Sequence, residues 1–146
     1  MKKRALTSIE LLLSIAIITL IMAASIPFYF SFYEKSKTES TIKEIEVAIH
    51  RAKIKALSSE LDDSWGIAVG NDNKITVFKG PSYEERNLNY DESSPIESSI
   101  KILNNQEIVF SKALALPNIT PTIIINNSNE EVFQIKIDSY GNTQVE

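Results

Sequence analysis

An α+β fold follows from three observations along the 146-residue chain. The run from Leu11 to Tyr33 carries no formal charge. From Glu34 the apolar residues return every three or four positions as far as Leu57, which is helical spacing. Beyond Ser64 they come in short segments separated by Gly, Asn and Pro, which is strand spacing. The expected architecture is one long N-terminal α-helix, apolar in its first half and amphipathic in its second, packed on a C-terminal antiparallel β domain. Its divisions are residues 1–5, 6–33, 34–60 and 61–146.

The uncharged run would extend about 34 Å as a helix, slightly more than the hydrocarbon core of a bilayer. Lys2, Lys3 and Arg4 precede it and would hold the N-terminus on the cytoplasmic side. Glu10 stands at its head. A carboxylate within a membrane span costs roughly 2.5–3.5 kcal/mol on insertion scales, so a partner is expected for it. A cut after Ala5 would supply one. The new α-amino group of Leu6 lies four residues from Glu10, on the same helix face. The pair can close within one chain, or between Glu10 of an incoming subunit and the Leu6 amine of one already packed. In apolar surroundings an unpaired charge is heavily penalised, so such a pair would set the register between copies. An acidic group in the first turn also suits the helix dipole.

Pro27 removes a helix hydrogen bond and crowds the carbonyl four residues back, so a kink is expected near it. Thr19 and Ser25 can bond back to carbonyls and ease a bend. Ile42, Ile45, Ile49, Ala52, Ala56 and Leu57, with Ala48 beside them, form an apolar stripe. Glu39 and Lys43 make an i,i+4 pair in the favourable order. The helix is expected from about Thr7 to Ser58, near 80 Å at about 1.5 Å per residue. The lone histidine, His50, falls on its polar face.

Strands are expected at Trp65–Val69 and Lys74–Lys79, joined by Gly70-Asn71-Asp72-Asn73, whose residues tolerate positive φ. Gly80 to Pro95 reads as a long polar loop. Further strands are expected at Glu97–Leu103, Glu107–Ser111, Thr122–Asn126 and Val132–Asp138, and a turn at Tyr140-Gly141-Asn142 before a short tail. About six strands with short turns make one or two antiparallel sheets resting on the helix stripe.

The opening Lys-Lys-Arg-Ala-Leu-Thr-Ser-Ile-Glu-Leu resembles the class III leader of type IV pilins and pseudopilins. Thr7, Ile9, Glu10 and Leu11 match its usual pattern, and Pro27 falls where many pilins carry a helix proline. Ala5, Leu6 and Ser8 replace the usual Gly, Phe and Leu. The resemblance implies cleavage between Ala5 and Leu6 by a prepilin peptidase and N-methylation of Leu6. It also implies assembly with homologous pilin subunits through the apolar helices, on an inner-membrane platform. The chain would be single-pass in the inner membrane, in contact with lipid, before joining a periplasmic or extracellular filament. The Ala-rich second half of the helix, Trp-Gly-Ile-Ala-Val, Ile-Thr-Val-Phe and the end near Tyr-Gly-Asn are similar to the H-type minor pseudopilins of type II secretion. A competence minor pilin that takes up DNA and a plain membrane-anchored extracytoplasmic domain are the alternatives.

Charge narrows these. Residues 60–146 hold six Lys and Arg against fourteen Asp and Glu, while residues 34–59 hold six against four. An acidic domain argues against nucleic acid as a partner, since that affinity rests on Lys and Arg neutralising phosphates. With no cysteine, neither a disulfide framework nor the disulfide-closed loop of many major pilins can form. No phosphate-cradling loop, zinc spacing or nucleophile elbow is found, so neither catalysis nor a cofactor is expected. Glu84, Glu85, Asp91 and Glu92 could offer oxygens to calcium, but their spacing matches no dedicated loop and no metal site is expected.

Overall fold

The computed structural model describes residues 7–146, apart from the side chains of residues 25–28. One helix, α1 (Ser8–Leu57), is followed by eight strands: β1 (Trp65–Val69), β2 (Lys74–Lys79), β3 (Glu92–Pro95), β4 (Lys101–Ile102), β5 (Gln106–Phe110), β6 (Thr122–Asn126), β7 (Val132–Ile137) and β8 (Thr143–Val145). Two units divide the chain, residues 1–36 and Lys37–Glu146. Within the first unit, every described side chain from Thr7 to Met22 is exposed, on all sides of the helix.

In the second unit the strands form two four-stranded sheets, ordered β3-β2-β1-β5 and β4-β6-β7-β8, with every pairing antiparallel. The helix stripe joins both sheets in one core. Ile42, Ile45, Ala48, Ile49, Ala52 and Ala56 are buried together with Trp65, Ile67, Ile108 and Phe110 of the first sheet and Ile123, Ile125 and Ile135 of the second. The alanine row at 48, 52 and 56 therefore lies in this core, where small side chains let a helix approach closely. Leu57, expected in the stripe, is 57% exposed. It follows Ala56 by one position, about 100° around the helix, which turns it off the buried face.

Strand β1 is buried at all five positions. Trp65, Ile67 and Val69 belong to the helix-facing core, whereas Ala68 packs with Phe78, Val109 and the half-buried Tyr83. Alternation places Gly66 on that second face, and a Cβ there would stand 2.5 Å from Phe78 Cζ. Tyr83, from the segment after β2, thus packs on the outer face of the first sheet. Tyr83 meets the Phe78 ring edge-on at 5.7 Å, and the Arg86 guanidinium lies 3.7 Å from the Tyr83 ring centroid. Asp91 accepts from Arg86 Nε at 2.8 Å and raises the guanidinium pKa above its ordinary value.

Turn chemistry follows the sequence. Gly70 (φ +91), Asp72 (φ +53) and Asn73 (φ +55) close the β1–β2 hairpin in the left-handed region that Gly, Asp and Asn tolerate. At the last turn Gly141 has φ +73, and Asp138 accepts from the backbone N–H groups of Tyr140 and Asn142, each at 2.8 Å. Those donors, with the Asn142 side chain, hold the Asp138 carboxyl below its usual range, Asn142 contributing most.

Several sequence expectations are corrected. The polar loop from Gly80 ends at Asp91, because Glu92–Pro95 pairs with β2 as an edge strand. Ser93 and Ser94 give no apolar period, so this strand is set by its partner, including a 2.9 Å contact between the Thr76 and Ser93 hydroxyls. The strand expected at Glu97–Leu103 shrinks to β4. Ile96 and Ile100 are buried, and Ile100 N–H donates to Glu97 O, closing a turn between them. Strands β4 and β5 then enter different sheets. The C-terminal tail forms β8, and Glu146 extends its pairing with Gln134. Lys43 pairs with Glu46 at 3.3 Å, an i,i+3 contact in place of the expected Glu39 partner.

Glu92 ties β3 to the helix. Its Oε1 lies 2.6 Å from Lys55 Nζ, and its Oε2 lies 2.8 Å from Arg51 Nη1. These cations, Lys55 foremost, hold its carboxyl below the usual value near 4.5. A carboxyl lowered in the folded state contributes stability that is complete above about pH 4.5 and is lost as pH falls through the lowered value. The side chain is 38% exposed, so solvent screening keeps the contribution under about 1 kcal/mol. Glu92→Gln should lower stability near neutrality by that amount and flatten its dependence on acid below pH 4.5. Denaturant titrations across pH, read through the single Trp, check this; an unchanged acid slope in the variant would contradict it.

Candidate functional site: the head of the apolar helix

Helix α1 begins with Thr-Ser-Ile-Glu, and that order of residue types builds a capping box. Thr7 Oγ1 accepts from Glu10 N–H at 3.4 Å. In return Glu10 Oε2 accepts from Thr7 N–H and from Thr7 Oγ1, each at 3.1 Å. Two helix-end donors are satisfied by one another's residues. Both bonds to the carboxylate use Oε2. Glu10 is exposed, and a carboxylate has two oxygens with about four acceptor positions. The cap therefore leaves acceptor capacity on Glu10.

Two polar side chains near the head of the apolar run, Ser14 and Thr19, turn inward. Ser14 Oγ donates to Glu10 O at 2.7 Å, and Thr19 Oγ1 donates to Ala16 O at 2.9 Å. Hydroxyls that bond back to the preceding turn offer little to a neighbour. Ile9, Leu12, Leu13, Leu20, Ile21 and Met22 are all more than 60% exposed. Glu10 is the one charged side chain on this apolar surface. Further along, Tyr29 and Tyr33 stack with ring centroids 6.2 Å apart and planes 7° from parallel, and Phe30 meets Tyr29 edge-on.

Sequence reasoning singled out Glu10 but missed Thr7 as its partner; the Thr-x-x-Glu spacing was the available signal. Ala5 and Leu6, the expected cleavage and methylation positions, lie outside the described residues. Pro27 falls within α1, its side chain outside the described set, as is that of Ser25. His50 is exposed on the helix. The acidic residues at 84–92 do not converge. Glu84 and Glu85 are exposed, Asp91 pairs with Arg86, and Glu92 pairs with Lys55 and Arg51. Among the described residues no three His, Asp or Glu side chains come together to hold a metal ion. An open groove of about 320 Å³ between α1 and strands β2 and β3 is lined by Val47, Ile75, Val77, Ser93 and Ser94 together with the charged Glu44, Arg51 and Glu92.

Comparison with protein-family models, with curated proteins and with solved structures finds no match. The layout itself, a long apolar N-terminal helix followed by antiparallel sheet, is pilin-like. The helix is long and apolar enough to cross a membrane, which is compatible with an anchor.

Proposed function

We propose that this chain is a structural subunit of a type IV pilus or a type II secretion pseudopilus, of the minor, H-type kind. The observation that carries the proposal is a lone carboxylate with spare acceptor capacity at the head of a helix whose first stretch, residues 9–22, exposes apolar side chains on every side and carries no other charge. A prepilin peptidase would cut between Ala5 and Leu6 and methylate Leu6. The subunit would wait in the inner membrane and then be taken up by the assembly platform. In the filament, the positive amine of Leu6 on one copy would meet Glu10 of the next. The cap occupies Oε2, so that pairing need not dismantle it.

The apolar helices would form the filament core and the β domain would face outward. The role asks for no catalysis by the chain itself. The acidic domain gives DNA no phosphate-binding face, which disfavours a competence pilin.

Mass spectrometry of the N-terminal peptide of protein expressed with a prepilin peptidase tests this. The expected mature form begins at methylated Leu6. A chain beginning at Met1 would be an uncut anchor, and one beginning at Ile26, just after the small residues Ala23-Ala24-Ser25, would be a product of ordinary signal cleavage. Either would reject the filament reading.

A further inference from the structure

Two features of the second unit stand at opposite edges of its first sheet, which are β3 and β5. Along the β5 edge the chain doubles back: Phe110 bridges to Pro117, and Ser111 N–H donates to Leu116 O. Within this return Ala115 is buried, while Leu114 is 70% and Leu116 44% exposed. Burying the small side chain and presenting the large ones is the reverse of what the hydrophobic effect favours. The backbone enforces it. Ala113 (φ +66) and Ala115 (φ +50) both lie in the left-handed region, which is unfavourable for a residue with a Cβ and clusters where a protein has a use for the strain. Ala113 N–H donates to Ala56 O, which brings the return close to the exposed Leu57.

The β3 edge carries the groove of about 320 Å³, whose apolar walls are Val47, Ile75 and Val77. Pairing sets Ser94 across from Ile75 and Glu92 across from Val77. The core-facing side of the sheet thus turns polar at β3, and the core is left open there. Glu44, also on the wall, makes no ion pair among the described residues. Lys112 stands two residues before Leu114, and its own pair with Asp62 is exposed and therefore weak. We propose that Leu114 and Leu116 of one copy dock into the Val47–Ile75–Val77 groove of a second copy, bringing Lys112 to the free Glu44. The leucines and the groove lie at least three strand spacings apart, roughly 14 Å. The contact is therefore head-to-tail. Each docked pair keeps one empty groove and one free leucine return, so the contact can repeat from copy to copy. It is small, and it acts between copies that are already held together. It goes beyond the role proposed above, in which only the helices join: here the β domains also recognise one another.

The chain contains no cysteine, so disulfide trapping reads the contact without background. Full-length chains carrying Leu114→Cys and Val47→Cys are mixed in detergent micelles and oxidised with copper phenanthroline. A disulfide closes only where the Cα atoms come within about 7 Å. This pair should give at least about tenfold more mixed dimer than Leu114→Cys with Val132→Cys, an exposed position on β7. A single chain carrying both Leu114→Cys and Val47→Cys should give a ladder of higher species. Ser94→Cys repeats the test from the opposite wall, for the case in which Val47→Cys weakens docking. Trapping no better than the Val132→Cys control from both groove positions overturns the proposal. So does an excess of Leu114→Cys dimers over mixed ones, because the contact would then be two-fold. The leader is tested separately. Methylated Leu6 without trapping would leave the filament reading standing and remove this contact, and trapping of chains that begin at Met1 would do the reverse.

Discussion

Phe110→Ala should destabilise the β-bearing unit by about 3–5 kcal/mol, the range for truncating a fully buried aromatic ring. Phe110 has no exposed surface and lies across from Trp65 in the β1–β5 pairing. A Cβ at Gly141 would stand 2.7 Å from its ring, so the last turn is folded directly against it. The β5 backbone is held on two sides, by β1 and by a bridge from Phe110 to Pro117. It cannot collapse easily into the space left, which pushes the cost towards the upper end. Against a total stability of roughly 5–15 kcal/mol, such a loss removes much of the folded state's margin. Denaturant unfolding of the full chain in detergent can be followed through Trp65, the single tryptophan, which is 1% exposed. Leu114→Ala is the control: Leu114 is 70% exposed and its removal should change stability by no more than about 0.5 kcal/mol. Equal losses in the two variants would contradict the assigned core.

Glu10→Leu should reduce incorporation into filaments by more than about a hundredfold. A leucine fits the apolar surface at least as well as glutamate, so simple hydrophobic packing predicts no loss. Pairing predicts a large one. Removing one partner of a buried ion pair costs about 3–5 kcal/mol because the other charge is left uncompensated, and each 1.4 kcal/mol is about tenfold in an equilibrium. The substitution also removes the cap on Thr7, and Thr7→Ala separates the two effects. That variant loses the cap at a cost of about 1 kcal/mol and keeps the carboxylate. It should still enter filaments. Fractions of each variant in sheared filaments, against total cell content, give the answer. Normal entry of Glu10→Leu would remove the register mechanism. Equal failure of both variants would reduce Glu10 to a helix cap.

These two residues also mark what the sequence could and could not convey. Glu10 was legible because a charge beside a long apolar run breaks a pattern. Its cap was not, since Thr7 was read within a leader motif rather than as a hydrogen-bond donor. The helix and strands β1, β2 and β6 were legible because apolar content and turn residues bound them on both sides. Strands β3 and β8 were not, because Ser93, Ser94 and Gln144 have no apolar alternation and become strands only by pairing with β2 and β7. Ile100 lay within an expected strand, yet with Ile96 it anchors a turn. The ties from Glu92 to Lys55 and Arg51 span 37 and 41 residues, a distance at which spacing carries no information. The carboxylates at 84–92 looked like one cluster in sequence, but folding hands two of them to three separate cations.

The pairing itself can be observed in the filament. A cryo-EM map with side-chain detail would measure the distance between Glu10 Oε1 and the Leu6 nitrogen of the adjacent subunit. The proposal predicts an ion-pair separation of no more than about 4 Å, with Thr7 still bonded to Oε2. A map in which Glu10 touches only its own Thr7, with the neighbouring amine turned to a different group, would contradict it.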